Sequence, residues 1–222
     1  HFAAGRIASS AIEHPCIADS ADATPIPCST CGVTDLTTIP ADAGLVSLMA
    51  ANNENGVIQP WEECLTLCQE RGIPFFCDAS QWIGKLPPAT LGECDFLIAT
   101  AHKFGGPKGC GFLLIPAGAE GFTSQRGGPQ ESNHRAGTED LPSIAAMLAA
   151  LQVSRVGDAS HRDSFEDMVQ AMLPGTKIVG AGAERLWNTS MLILPEHKNL
   201  KWLTRLSARG ISVSTGSACS AG

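Results

Sequence analysis

Apolar positions along the chain follow two rhythms. Short unbroken apolar runs predict strands over residues 6–9, 45–49, 73–77 (ending at Asp78), 96–100 and 110–115. Trp61, Cys64, Leu65 and Cys68 instead recur at helical spacing, with Pro60 before them as a start signal and Gly72 after them as a stop. The stretch 125–139 is rich in glycine and polar residues and breaks the alternation. Beyond it the pattern predicts helices over 141–153, 163–173 and 200–209, with strands near 189–194 and 211–214. Strand–helix–strand order of this kind predicts an α/β fold with a mostly parallel central sheet flanked by helices. The division falls near residue 150: a large domain over 1–150, and a smaller, incomplete α+β domain over 151–222 that ends in a loop bearing Cys219.

Composition narrows the class. The chain has 222 residues, 44% hydrophobic and 17% charged, long enough for a substantial core. Its net charge is -7 and no basic run occurs, which argues against a nucleic-acid partner. Apolar stretches such as 44–51 fall far short of the roughly 20 residues that span a bilayer. The 9 cysteines, an odd number, are scattered through core-like segments. That pattern predicts reduced, mostly buried thiols and a cytoplasmic protein rather than a disulfide framework. Cys28 and Cys31 form a C-x-x-C, but no second pair or histidine cluster accompanies them, so no metal site is expected. Cys64 and Cys68 share a helix face with Trp61 and read as core. Residue 1 is His, no signal segment follows it, and both ends read as cut.

Candidate chemistry gathers just after predicted strands, where parallel sheets place their sites. Lys103 lies between a strand and the turn Phe104-Gly105-Gly106-Pro107. A lysine there can form a Schiff base with an aldehyde such as pyridoxal phosphate, although the segment alone also fits a solvated turn lysine. Asp78 ends another strand, where a carboxylate can hold a pyridine nitrogen protonated or simply cap a turn. His14, after Glu13, reads as a helix cap or surface pair. Asn53 reads as a turn residue, and Thr138 as the N-cap of the next helix. Cys219 sits in a Gly- and Ser-rich loop and is the least core-like of the cysteines.

Taken in order, Glu13-His14, Asn52-Asn53-Glu54-Asn55-Gly56, Asp78-Ala79-Ser80-Gln81, Ala101-His102-Lys103, Gly127-Gly128-Pro129-Gln130-Glu131, Arg135-Ala136-Gly137-Thr138 and Gly216-Ser217-Ala218-Cys219 resemble the cysteine desulfurases of the NifS/IscS type. These are class V members of the fold-type I pyridoxal-phosphate (PLP) enzymes. The resemblance implies that Lys103 carries PLP, that Asp78 pairs with the pyridine nitrogen, and that Gln81 hydrogen-bonds the phenolic oxygen. It implies that His14 stacks on the ring and moves protons, and that Asn53 lies near the phenolic oxygen and the substrate carboxylate. Thr100 and His102 would bind the phosphate. Thr138 would reach the phosphate of a partner subunit, which implies a homodimer. Cys219 would take sulfur from L-cysteine as a persulfide, release L-alanine and pass the sulfur to an acceptor protein such as an iron–sulfur scaffold.

The pattern also departs from the family. A Gly-Ala-Thr-Glu type segment, whose helix N-terminus would cradle the phosphate, is missing before His14. The arginine that clamps the substrate carboxylate would lie beyond Cys219. The segment between His14 and Asn53 is short. Other readings are a cystine or selenocysteine lyase of the same class, a plain aminotransferase, and a truncated homologue without catalysis.

Overall fold

A computed structural model describes residues 5–19, 22–88, 90–119, 121–153 and 156–216. The first half is built of β1 (Arg6–Ser10), a short α1 (Pro15–Ala18), β2 (Thr24–Ile26), β3 (Ala43–Ser47), α2 (Trp61–Arg71), β4 (Phe75–Asp78), β5 (Phe96–Thr100) and β6 (Gly111–Leu114). They form one six-stranded sheet of order β2-β1-β3-β4-β5-β6. Every pairing is parallel except that of β6, which runs antiparallel to β5 with Thr100 opposite Gly111. The mostly parallel α/β sheet expected from the sequence is therefore present. The chain leaves β1 toward one edge, to β2, and then crosses back to β3 on the other side of β1. The carboxyl ends of β1 and β3 thus flank a topological switch point, where open α/β sheets form ligand crevices.

Helix α2 covers one face of this sheet. Trp61, Cys64, Leu65 and Cys68 are at most 3% exposed and pack with Phe75 and Cys77 of β4 in the main core. Burying each large apolar side chain contributes about 1.5–3 kcal/mol. The helix stops at Gly72, whose φ of 65° is left-handed, with the Gly72 and Ile73 amides bonded back to Gln69 and Cys68 carbonyls. Four of the eight described cysteines, Cys64, Cys68, Cys77 and Cys94, are buried, while Cys16 is exposed and Cys28, Cys31 and Cys110 are half-buried. The expectation that most thiols are buried therefore holds for only half of them. All eight are free.

The second half comprises α3 (Leu141–Val153), α4 (Ser160–Met172), β7 (Lys177–Ile178), β8 (Leu192–Ile193) and α5 (Asn199–Ser207). Met147 and Ala150 of α3 pack on Ala101 and Phe104, the turn that carries Lys103. Strands β7 and β8 pair antiparallel as a separate two-stranded sheet. This half docks on the first through backbone bonds from the Ile58 amide to the Glu184 carbonyl (2.9 Å) and from the Leu186 amide to the Gly56 carbonyl (2.8 Å). A bidentate ion pair between Arg185 and Glu166, 2.6 and 2.7 Å long, lies under that junction.

Several local expectations need correction: the strand expected over 45–49 lies two residues earlier, the helix expected over 163–173 starts three residues earlier, and the strand expected over 189–194 shrinks to Leu192–Ile193. Residues 211–214 form no strand, because no partner strand lies beside them among the described residues. The strand expected over 73–77 starts two residues later, since Ile73 and Pro74 are taken up by the exit from α2. Thr138 does not cap α3. Asp140 does, accepting from the Ser143 amide (3.2 Å) and the Ser143 hydroxyl (2.6 Å). No described helix is long and apolar enough to cross a membrane.

Candidate active site

The carboxyl ends of β1, β3, β4 and β5 bring most of the candidate residues to one edge of the sheet. Asp78 is the last residue of β4 and is 7% exposed. Its Oδ1 accepts from the Ser80 amide at 2.8 Å, an Asx-type turn that aims the carboxylate out of the strand end. Glu13, in the loop after β1, is equally buried. Its Oε1 accepts from the Ser47 hydroxyl of β3 at 3.3 Å, and its Oε2 has no hydrogen-bond partner. Burial, and then the charge of Asp78, push the Glu13 carboxyl up to about 8, against the pull of the Met49 amide, the Ser47 hydroxyl and the His14 amide. The two carboxyls therefore share one corner of the site, and Glu13 keeps its proton at neutral pH.

His14 follows directly and caps α1. Its Nδ1 accepts from the Cys16 amide at 3.2 Å. That bond places the proton of the neutral ring on Nε2, the edge left for other contacts. The cap reading of His14 is thus present in the structure, and it leaves the ring half-exposed.

Asn52 and Asn53 divide their labour. Asn52 is buried; its amide donates to the Ile12 carbonyl (3.1 Å) across the switch point, and its Oδ1 accepts from the Glu54 and Asn55 amides. Asn52 therefore ties the loop after β3 to the loop after β1. Asn53 is half-buried, and its side chain makes no hydrogen bond among the described residues.

Lys103 stands in the 3-10 turn Ala101–Lys103 directly after β5 and is exposed. The turn is tight: the Phe104 and Gly106 amides both bond the Ala101 carbonyl, and a Cβ on Gly106 would lie 2.8 Å from the Ala101 Cβ. Glycine at 106 is what lets the backbone close up beneath the lysine. Thr100 Oγ1 and His102 Nδ1 share a hydrogen bond of 2.7 Å. Slight burial and the charges of Lys103 and Lys108 lower the His102 pKa.

Gln81 lies in the turn after Asp78, and Lys85 one turn further on. Lys85 is 7% exposed and donates from Nζ to the Gln81 carbonyl (3.0 Å) and to Gln81 Oε1 (2.9 Å). Burial first, and the charge of Lys103 second, lower its pKa to about 8. Lys85 and Lys103 are therefore electrostatic neighbours.

One described candidate is not brought to this edge. Thr138 is exposed on the loop leading into α3 and makes no hydrogen bond to the other site residues among the described residues. Cys219 lies outside the described residues. Sequence reading missed Glu13 and Lys85 as buried groups. Neither carries a local signal of burial, although Glu13 adjoins His14 just after a strand and Lys85 stands four residues from Gln81, one helical turn.

Two clefts lie elsewhere. One of about 530 Å³ is lined by Asp158, His161, Arg162, Phe165, Trp187, Asn188 and Ser190. Another, of about 700 Å³, opens at the amino ends of the strands around Gly44, Ile73 and Pro74. Neither contains a candidate residue, and neither gathers buried ionisable groups as the strand ends do.

A family model for class-V aminotransferases matches residues 18–221. The chain is 39% identical over 183 residues to a cysteine desulfurase of Cereibacter sphaeroides, covering 80% of this chain and 47% of that one. It is 38% identical over 188 residues to a cysteine desulfurase of Enterobacter agglomerans, covering 82% and 47%. The crystal structure of a NifS-like protein from Rickettsia africae superposes with a TM-score of 0.88 at 28% identity, over 97% of this chain and 65% of that one. The chain thus spans about half the length of the curated relatives it matches. The sheet order, the strand-end site and the likeness to NifS-like structures agree with the expected fold-type I architecture, and the chain belongs to the class-V aminotransferase family.

Proposed function

We propose that this chain supplies the cofactor-binding part of a PLP-dependent cysteine desulfurase. One observation carries the reading: a buried carboxylate, Asp78, and a lysine, Lys103, sit at the carboxyl ends of adjacent strands β4 and β5. The donor set fits PLP. Asp78 has one oxygen satisfied by the Ser80 amide and the other available for a pyridine N–H. Thr100 and His102 offer a hydroxyl and an imidazole for a phosphate. When bound, the cofactor withdraws electrons from the α-carbon of the amino acid joined to it.

The chain's own residues do the rest. The Lys103 amine removes the α-proton and returns it. The Asp78 carboxylate holds the positive pyridine nitrogen, and the protonated Glu13 beside it keeps a second negative charge out of that corner. The Gln81 amide addresses the phenolic oxygen, while Asn53 and the His14 ring flank the substrate. The Cys219 thiolate attacks the sulfur of cysteine: an S–S bond forms on Cys219 as the Cβ–S bond breaks, the electron pair of that bond stays with the carbon skeleton, and a proton taken up at Cβ lets it leave as alanine. The persulfide then passes to an acceptor protein such as an iron–sulfur scaffold. We place this activity in a cytoplasmic homodimer, with Thr138 reaching the partner's phosphate, and divide the chain into a large domain over 1–150 and a small one over 151–222.

Borohydride reduction of PLP-loaded protein, followed by peptide mass mapping, tests the site. The expected adduct is on Lys103 and is lost in Lys103→Ala. With L-cysteine, Cys219→Ala is expected to abolish alanine formation while keeping the visible absorbance. Alanine released at the native rate by that variant refutes the nucleophile. Turnover of cystine or selenocysteine without a persulfide on Cys219 assigns the site to a lyase.

A further inference from the structure

Lys85 is a buried cation without an acid. Lysine is almost never fully buried unless paired, and no carboxylate lies within ion-pair distance of Lys85 among the described residues. Its neighbour in charge is a second lysine, Lys103, which adds repulsion. A turn running from Ala79 to Leu86 holds it in place, with the Trp82 and Ile83 amides on the Ala79 carbonyl and the Lys85 and Leu86 amides on the Trp82 carbonyl. Trp187 reaches across from the second half of the chain, its Nε1 donating to the Lys85 carbonyl at 3.0 Å. The fold fixes this residue from both sides.

What Lys85 touches is Gln81, through both the backbone carbonyl and Oε1. An ammonium has three donors and no acceptor. It can therefore meet a carboxamide only at the oxygen. With Oε1 held by Lys85, the Nε2 end of Gln81 is the one left for another partner. We infer that Lys85 is a positioning residue that turns the Gln81 carboxamide so that its NH2 end, and not its oxygen, faces the phenolic oxygen of the cofactor. This inference rests on the PLP reading proposed above. The negative phenolic oxygen needs a donor; a flipped amide would present a second oxygen to it and repel it.

The test uses the PLP-loaded protein and the pH midpoint of its visible absorbance. A donor on the phenolic oxygen stabilises its charge, so losing that donor raises the pH at which the lysine–cofactor link gives up its proton. Lys85→Met is expected to raise the midpoint by about 0.5–1 pH unit, the worth of one hydrogen bond. Lys85→Arg, which still donates and cannot accept, is expected to stay close to wild type. In a Gln81→Met background the Lys85→Met shift is expected to shrink, because the amide it acts through is gone. Equal shifts in the two backgrounds mean that Lys85 acts by charge alone and overturn the inference, as does Lys85→Arg shifting as far as Lys85→Met. Should Lys85→Met fail to fold, Gln81→Glu decides. It keeps the partner of Lys85 but offers no donor, and an unchanged midpoint there overturns the inference. Wild-type protein that gives no borohydride-trapped adduct on Lys103 overturns the PLP reading and this inference together; a trapped adduct with an unmoved Lys85→Met midpoint overturns this inference alone.

Discussion

Replacing Glu13 by Gln should remove a pH dependence built into the fold. Glu13 is 7% exposed, its Oε2 is unpartnered, and Asp78 faces it. Its carboxyl is raised from the ordinary 4.5 to about 8. In the unfolded chain Glu13 ionises near 4.5, whereas in the fold it keeps its proton to about 8, so the native state binds the extra proton across that window. The stability tied to this proton is fully present below pH 4.5, declines as pH rises, and is lost above about 8. At about 1.4 kcal/mol per pKa unit the full loss is about 5 kcal/mol, of which about 4 kcal/mol falls between pH 5 and 8.5. Glutamine has the shape of the protonated acid and cannot ionise. Its extra N–H changes stability by an amount that does not vary with pH. Asp78, Cys77 and His14 also surround this position, and all three are common to both proteins. Urea unfolding of cofactor-free wild type and Glu13→Gln at pH 5 and pH 8.5 makes the comparison. The difference is expected to move in favour of the Gln variant by about 4 kcal/mol between the two pH values. A difference that changes by less than about 1 kcal/mol would refute a protonated Glu13.

Glu166→Ala strands Arg185, whose side chain is 7% exposed, as a buried unpaired charge; the expected loss is about 3–5 kcal/mol by urea unfolding. Replacing both partners with apolar residues should cost less than that single change, and equal or greater loss would contradict the pairing argument. Gly56→Ala is expected to destabilise more than Gly72→Ala. Both positions have left-handed φ, which costs a side chain about 1–2 kcal/mol. A Cβ at Gly56 also meets the Thr189 Cβ at 2.8 Å, whereas one at Gly72 meets nothing within 4 Å. Similar melting temperatures for the two variants would show that the junction at Gly56 is looser than described.

The elements most legible in the chain are those whose signals lie within a few residues. Helix α2 starts after Pro60 and stops at Gly72 as the spacing and the stop glycine require. Strand β5 and helix α3 occupy the ranges their patterns predict. Asp78 and Lys103 were visible as strand-end residues because a strand ending in a polar group is itself a local signal. β2, only three residues long with Pro25 at its centre, carried too little pattern to be seen. Residues 211–214 carried the pattern but have no neighbouring strand to pair with among the described residues.

Burial of charge was not legible at all. Glu13 and Lys85 read as ordinary solvated residues because nothing adjacent to them marks an interior. Their environments come from contacts far along the chain: Ser47 reaches Glu13 across 34 residues, and Trp187 reaches Lys85 across 102. Periodicity, caps and turns are short-range properties, written residue by residue. Which strand lies beside which, that β6 runs antiparallel to β5, and which ionisable groups lose their water are long-range properties. They follow from the one packing that buries the sheet faces, and no window of neighbouring residues contains that packing.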